Sequence, residues 1–163
     1  MEMTLTEKPV MEEPIEITME QIPATVEKIV AGKVVVEKST TDVFMSIDSE
    51  DANEIARGRR SHEHRSYPLP ESIERIWLYS KSPVNAIEYV ICISHEDSEP
   101  IAPDENHRYS YKINQVWMLR HPVGIRHAVA IGALARAPGK YCWVPMSFLK
   151  KRPYDKQYHL RQE

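Results

Sequence analysis

Two neighbouring stretches in the middle of this 163-residue chain predict an antiparallel pair of β-strands. Arg75–Ser80 and Ala86–Ser94 are rich in Ile, Val, Tyr and Trp, the side chains that pack best on a pleated surface. A short connection beginning Lys81-Ser82-Pro83 joins them, which favours a hairpin. Because an isolated hairpin is at best marginally stable in water, the remaining chain must supply further strands or helices to cover it.

Weaker patterns on both sides of this pair supply those elements. The strand-like segments are residues 43–47, 61–67, 115–120 and 141–144. A first helix is expected after a cap at Asp48 or Ser49 and ends at Gly58, and a second covers residues 125–135. Short strands with few interposed helices predict an α+β fold built on a small, curved, mostly antiparallel sheet.

The first 40 residues differ in composition from the rest. They hold eight Glu and four Lys, and prolines interrupt them early. We therefore expect residues 1–40 to form an acidic, partly disordered extension, with a short helix over 18–31 and a strand over 33–37. Residues 41–163 then form the compact domain. Its last 24 residues carry six Lys or Arg against two Asp or Glu, which makes a basic C-terminal tail.

Composition narrows the class of protein. A chain with 42% hydrophobic and 28% charged residues has the balance of a globular domain. No apolar run approaches the ~20 residues of a membrane span, and the first 30 residues are acidic without an apolar run, so we expect no secretory leader. Cys92 and Cys142 are far apart, without metal-binding spacing. We expect a cytoplasmic or nuclear protein with no membrane contact, cofactor or metal; nothing indicates its oligomeric state.

The segment from Gly58 to Tyr67 carries the most specific chemistry. Gly58 allows a left-handed turn after the first helix, and an extended chain follows it. Alternation along a strand places Glu63, Arg65 and Tyr67 on one face. An acid, a guanidinium and a phenol therefore share a surface. They form either a structural ion pair or a site that reads a nucleobase or a phosphate.

The same segment resembles a known signature. Gly58-x-Arg60-x-x-Glu63-x-Arg65 is similar to the Gly-x-Lys-x-x-Glu-x-Arg pattern of ASCH domains, which belong to the PUA-like superfamily. The resemblance is closer to a group of fungal PUA-like proteins, and it extends over residues 43–47, 62–65, 75–79, 83–87 and 140–145. It implies a small, curved, mostly antiparallel β-barrel with two or three flanking helices.

The resemblance also implies a function, which is recognition of RNA, including tRNA, or of a modified nucleobase in the barrel cleft. The residues expected to bind the ligand are Arg60 at a phosphate, Glu63, Arg65 and Tyr67 as polar groups, and Trp77 and Trp143 as stacking rings. Two departures argue against the hydrolase activity of some members. Arg60 replaces a Lys and cannot act as a base, and Glu63 stands where those members place a Thr nucleophile.

Other functions are compatible with the sequence. Fungal tRNA-dependent synthases of arginine-containing cyclic dipeptides use an Asp-Asp-x-x-Glu motif, and the nearest match here is Glu50-Asp51-x-x-Glu54. These three carboxylates and Glu63 are the catalytic candidates for such an enzyme, or for one acting on a small metabolite. An adaptor that docks a partner protein through its acidic extension and the acidic loop over residues 95–106 is a third possibility.

Two histidines of the same segment could bind a metal ion. His62 and His64 share the other face of the predicted strand, and a third ligand would have to come from His95, His107 or His121. Nothing in the sequence brings these residues together, so a metal site is not predicted.

Overall fold

The computed structural model of the chain describes residues 28–30, 33–95 and 109–162. Within these ranges the chain forms nine strands, three α-helices and one 3-10 helix. In chain order they are β1 Lys28–Val30, β2 Lys33–Val35, β3 Lys38–Ile47, α1 Ser49–Ala56, β4 His62–Arg65, β5 Arg75–Ser80, β6 Ala86–Ser94, β7 Tyr109–Gly124, α2 Ile125–Ala130, β8 Cys142–Pro145, α3 Met146–Lys151, the 3-10 helix Tyr154–Lys156 and β9 Tyr158–Gln162.

Seven of the strands make one mixed sheet. Its order is β4-β7-β6-β5-β3-β8. Strand β9 also pairs with β7, on the edge where β4 pairs and further along the strand. All pairs are antiparallel except β3 with β5. The predicted hairpin is confirmed as β5 and β6. The α+β class, the mostly antiparallel sheet and the flanking helices are also confirmed. The barrel is not closed, because the hydrogen-bonded path of described strands ends at β4 on one side and β8 on the other.

Both faces of this sheet are covered. On β3, Val43, Met45 and Ile47 join an inner core that also includes Ile55 of α1. Phe44, between them, joins an outer core with residues of α2 and α3. This alternation explains why the central strands read as nearly continuous apolar runs, since each successive side chain enters one core or the other.

The sheet curls toward the inner core. The guanidinium of Arg65, on β4, donates a hydrogen bond to the carbonyl oxygen of Ser46, on β3, at 3.3 Å. These two strands are four steps apart in the sheet order, so only strong curvature brings them together. The inner core therefore lies inside a nearly closed roll.

Several predicted elements have different bounds. Residues 28–30 of the predicted helix 18–31 form strand β1, which pairs with β2, and residues 18–27 and 31 lie outside the described ranges. The strand predicted at 33–37 is confirmed over Lys33–Val35 as β2, and residues 36–37 are not part of a strand. The strand predicted at 115–120 is much longer, because β7 pairs with three other strands along its length. The second helix ends at Ala130, before a turn with Gly132 at φ +75°.

The basic C-terminal segment is part of the folded domain. It contains α3, the 3-10 helix and β9, none of which the sequence pattern predicts. Its basic residues are therefore held at defined positions on the surface. None of the described helices has both the length and the apolar character needed to cross a membrane.

Candidate functional site

Strand β4 places Glu63 and Arg65 on the inner face of the sheet. Glu63 lies opposite Tyr111 of β7, and Arg65 lies opposite Tyr109. Directly opposed residues in an antiparallel pair share a face, and Tyr111 belongs to the inner core. The predicted alternation is confirmed. The turn that leads into β4 depends on Gly58, whose φ of +76° lies in the left-handed region.

Glu63 and Arg65 form a buried ion pair. Nη2 of Arg65 lies 2.9 Å from Oε1 of Glu63, and their side chains are 20% and 3% exposed, respectively. Nε of Arg65 is buried and has no hydrogen-bond partner among the described residues. The pair thus offers a fixed carboxylate beside a guanidinium that has an N–H donor left over. A fixed ion pair of this kind supplies strong acceptors and donors to a ligand.

Aromatic rings bridge the opening between β4 and β8. The phenol of Tyr67, just after β4, donates a hydrogen bond to the carbonyl oxygen of Lys140 at 2.8 Å. Its ring stacks on that of Tyr141, with centroids 6.3 Å apart. Trp143 meets Tyr141 edge-on at 6.0 Å, and Nζ of Lys140 lies 4.2 Å from the Tyr67 ring centroid. Side chains therefore span the gap that backbone hydrogen bonds leave open.

We call this region the seam, and we define it by Glu63, Arg65, Tyr67, Tyr141 and Trp143. The three aromatic side chains pack against the inner core. Glu63 and Arg65 lie on the face of the sheet that carries the core residue Tyr111. Burial raises the pKa of Tyr67, and the positive charge of Arg65 only partly offsets this. The phenol therefore stays protonated at neutral pH and remains a hydrogen-bond donor.

A cavity of about 450 Å³ adjoins the seam. Tyr141 and Trp143 line it together with the loop over residues 133–140 and with Lys38. Three cations, Lys38, Arg136 and Lys140, belong to this lining, and no carboxylate does. The cavity is therefore suited to an anionic ligand that carries a flat ring.

Arg60 is held outside the seam. Its Nη1 lies 3.3 Å from Oδ1 of Asp51 on α1, and its Nε donates to the carbonyl oxygen of His62 at 3.2 Å. Nη2 of Arg161 donates to the Arg60 carbonyl oxygen at 3.0 Å, which ties β9 to the same turn. Among the described residues, these contacts show that Arg60 links α1 to β4. The proposed contact of Arg60 with a phosphate stays a prediction.

The acidic triplet lies on α1 and is largely paired with arginines. Asp51 binds Arg60, and Glu54 lies 3.6 Å from Arg59, while Glu50 is exposed. Surface ion pairs of this type are common on helices and contribute little to stability. The geometry of the triplet does not indicate a catalytic centre, and the catalytic role of Glu50, Asp51, Glu54 and Glu63 remains a prediction.

Trp77 cannot stack on a ligand, so that prediction is wrong. The side chain is 0% exposed and packs edge-on against Phe148 in the outer core. Its indole N–H donates to Oδ2 of Asp42 at 2.8 Å. The neighbouring ring in the seam is Tyr141, which the sequence interpretation did not select. Because Tyr141 is two residues before Trp143, strand alternation could have placed both rings on one face.

The two histidines of β4 point away from the seam. The rings of His62 and His64 stack on each other at 6.4 Å, opposite Lys112 and Ser110 of β7. Within residues 28–30, 33–95 and 109–162, no group of three or more His, Cys, Asp or Glu side chains is arranged to hold a metal ion.

Solved structures identify the fold. The chain is similar to the crystal structure of ASCH from Zymomonas mobilis, with 16% identity, a TM-score of 0.56, and coverage of 76% of this chain and 100% of that one. Two single-substitution variants of the same protein match with 18% and 17% identity and TM-scores of 0.57 and 0.55. Those alignments cover 70% and 68% of this chain and 95% of each variant. No protein-family model and no curated protein sequence matches the chain.

These likenesses define the class of fold: the chain shares the α+β fold of ASCH from Zymomonas mobilis. The resemblance inferred from Gly58, Arg60, Glu63 and Arg65 is confirmed at this level. The particular closeness to fungal proteins stays a prediction.

Proposed function

We propose that the seam binds an unpaired nucleobase of RNA. The observation that carries the proposal is the buried Glu63–Arg65 pair next to the stacked rings of Tyr67 and Tyr141. A carboxylate accepts hydrogen bonds from base amino groups, and a guanidinium donates to base carbonyl and ring-nitrogen acceptors. Together they complement a base edge that carries both donors and acceptors. The ASCH-like fold also favours RNA, since PUA-like domains are associated with RNA binding.

The aromatic residues supply the second part of base recognition. Stacking of one base on an aromatic side chain contributes about 1–3 kcal/mol, and it requires that the base be free of its own stack. Sequence-specific proteins reach such bases in single-stranded loops and ends of RNA. Lys140 and Arg136 lie at the adjoining cavity, where they can contact the phosphates that flank the bound base.

The polar pair also favours selectivity among bases. A base that offers no acceptor to Nε of Arg65 leaves this buried N–H without a hydrogen bond, which costs about 1–3 kcal/mol. We therefore expect the seam to distinguish bases by their hydrogen-bonding edge, including modified bases that alter an amino group. A loop of tRNA is one RNA that presents such bases unpaired.

The test is a binding series with short labelled RNAs. Fluorescence anisotropy would compare 12-nucleotide single strands of each base, a tRNA, and a duplex of the same length. Tyr141→Leu should weaken binding to the preferred single strand about 5- to 150-fold, the range that corresponds to one stacked base. Leu160→Ala is the control, because Leu160 is a 39% exposed apolar side chain on β9 that lies outside the seam and lines neither cavity.

The proposal fails if no RNA of the series binds, or if Tyr141→Leu and the control variant lose affinity equally. A preference for duplex over single strand would also contradict it, since bases in a duplex are not available for stacking.

A further inference from the structure

A second cavity, of about 530 Å³, lies on the opposite face of the sheet from the seam. The last part of β7, α2, α3 and the 3-10 helix enclose it, and Leu119 and Val123 of its lining belong to the outer core. Its charged lining residues are all basic: Arg120, Lys151, Arg152 and Lys156, with His121 and His127 beside them. We call this cavity the basic groove.

The cations of the basic groove are not neutralised by the fold. None of Arg120, Lys151, Arg152 and Lys156 makes an ion pair with a carboxylate of the described residues. Asp155 is adjacent to Lys156 in the chain but is absent from the lining. Four like charges around one cavity repel each other, and a bound anion would remove that cost.

The two arginines are held in place by other contacts. Nε of Arg120 donates to the carbonyl oxygen of Lys156 at 2.6 Å, and its guanidinium lies 4.3 Å from the ring centroid of Tyr158. The guanidinium of Arg152 lies 4.6 Å from the ring centroid of Phe148. These contacts orient the charged groups before a ligand arrives, which lowers the entropy lost on binding.

Arg152 retains unused donor capacity. Its Nη1 is buried and has no hydrogen-bond partner among the described residues. Burial lowers the pKa of Arg152, because the charged guanidinium has lost part of its water. An anion in the groove would satisfy the buried N–H groups and stabilise the charge.

We propose that the basic groove binds the phosphate groups of a polynucleotide or a nucleotide. Arginine offers phosphate a bidentate pair of N–H groups, and lysine adds point charge. The lining has no Tyr, Trp or Phe and no carboxylate, so it holds phosphate without reading a base. Tyr111 of β7 lies opposite Glu63 of the seam, and Leu119 of the groove lining follows Tyr111 by eight residues on the same strand. Eight residues span about 26 Å along an extended strand. The groove is therefore a site separate from the seam, and its ligand does not depend on the function proposed there.

The test follows the side-chain Nε–H resonances of the arginines by NMR in the full chain. Two probes are titrated separately, pyrophosphate and a 12-nucleotide single-stranded RNA. We expect the Arg152 resonance to shift with at least one probe. Lys151→Gln with Lys156→Gln should weaken that interaction and, for RNA, lower the salt slope of log K by about 1.4, since each phosphate contact to a single strand contributes about 0.7. Both lysines are exposed, so the double variant should fold.

The control is Arg126→Gln, which removes an exposed cation of α2 that does not line the groove. A shift with RNA alone assigns the phosphates to a polynucleotide, and a shift with pyrophosphate assigns them to free phosphate or a nucleotide. If neither probe moves Arg152, or if the control lowers binding as much as the lysine pair, the inference is wrong. Tyr141→Leu tests the seam alone, so we expect it to weaken RNA binding there and to leave the shift of the Arg152 resonance unchanged. The two proposals can therefore fail independently of each other.

Discussion

Replacement of Arg65 by Met should destabilise the domain strongly. Glu63 is 3% exposed, and the substitution removes the guanidinium that lies 2.9 Å from its carboxylate. Removing one partner of a buried ion pair costs about 3–5 kcal/mol. Because Arg65 is itself 20% exposed, water reaches its edge of the pair, and we expect a loss near the lower limit, about 3 kcal/mol. For a domain of this size that corresponds to a fall of about 6–12 °C in the melting temperature.

A double-mutant cycle isolates the contribution of the pair. Glu63→Gln alone should cost about 1 kcal/mol, since the remaining guanidinium can be hydrated at its exposed edge. The double variant removes both charges, so it should be more stable than the sum of the single losses implies, by about 2 kcal/mol. Guanidinium chloride unfolding followed by tryptophan fluorescence measures all four proteins, with Trp77 as a buried reporter of the outer core.

The result that would refute this reasoning is additivity. If the two single losses sum to the double loss within about 0.5 kcal/mol, the two groups do not interact in the folded protein. The same double variant separates structure from recognition. We expect it to fold but to lose base-selective RNA binding, and undiminished binding would show that the pair is purely structural.

Two further predictions concern the backbone turn and a thiol. Gly58→Ala should lower the free energy of unfolding by about 1 kcal/mol, because a left-handed conformation costs a residue with Cβ about 1–2 kcal/mol. The new Cβ would also lie 3.3 Å from Nη1 of Arg161. Gly139→Ala is the control: it has open space around it and should leave the melting temperature unchanged. Burial raises the pKa of Cys92 to about 11, so the folded protein holds about a hundredfold less of the reactive thiolate at pH 8 than the unfolded chain does. In a Cys142→Ser background, the folded protein should therefore react with a disulfide reagent about a hundredfold more slowly than the unfolded protein. The raised pKa favours the neutral thiol in the fold, so its contribution to stability is present below pH 9 and is lost as the pH rises from about 9 to about 11. Equal reactivity of the folded and unfolded thiol would contradict this.

Local patterns predicted the parts of the fold that depend on neighbouring residues. The β5–β6 hairpin follows from two strand-forming stretches with a short connection. The common face of Glu63 and Arg65 follows from the two-residue period of a strand. The helix predicted at 18–31 fails at residues 28–30, because the spacing of their apolar side chains does not exclude a strand, and pairing with β2 decides between the two.

Aromatic residues show where local patterns were insufficient. Trp77 and Trp143 both lie in strands, but the first is enclosed by Phe148 and Asp42 while the second belongs to the seam. Which ring is covered depends on where α3 packs, and α3 was not predicted. Alternation places Tyr141 on the same face as Trp143, but its stacking on Tyr67 joins residues more than 70 positions apart and follows from no local pattern.

The amino-acid order alone determined the strand pair, the alternating faces of β4 and the turn at Gly58, because each depends on torsions and side-chain spacing within a few residues. The curvature that leaves β4 and β8 facing each other, the seam between them and the basic groove on the other face arise only in the folded domain. Strand twist accumulates over the whole sheet, and no short segment specifies where the two ends of that sheet meet.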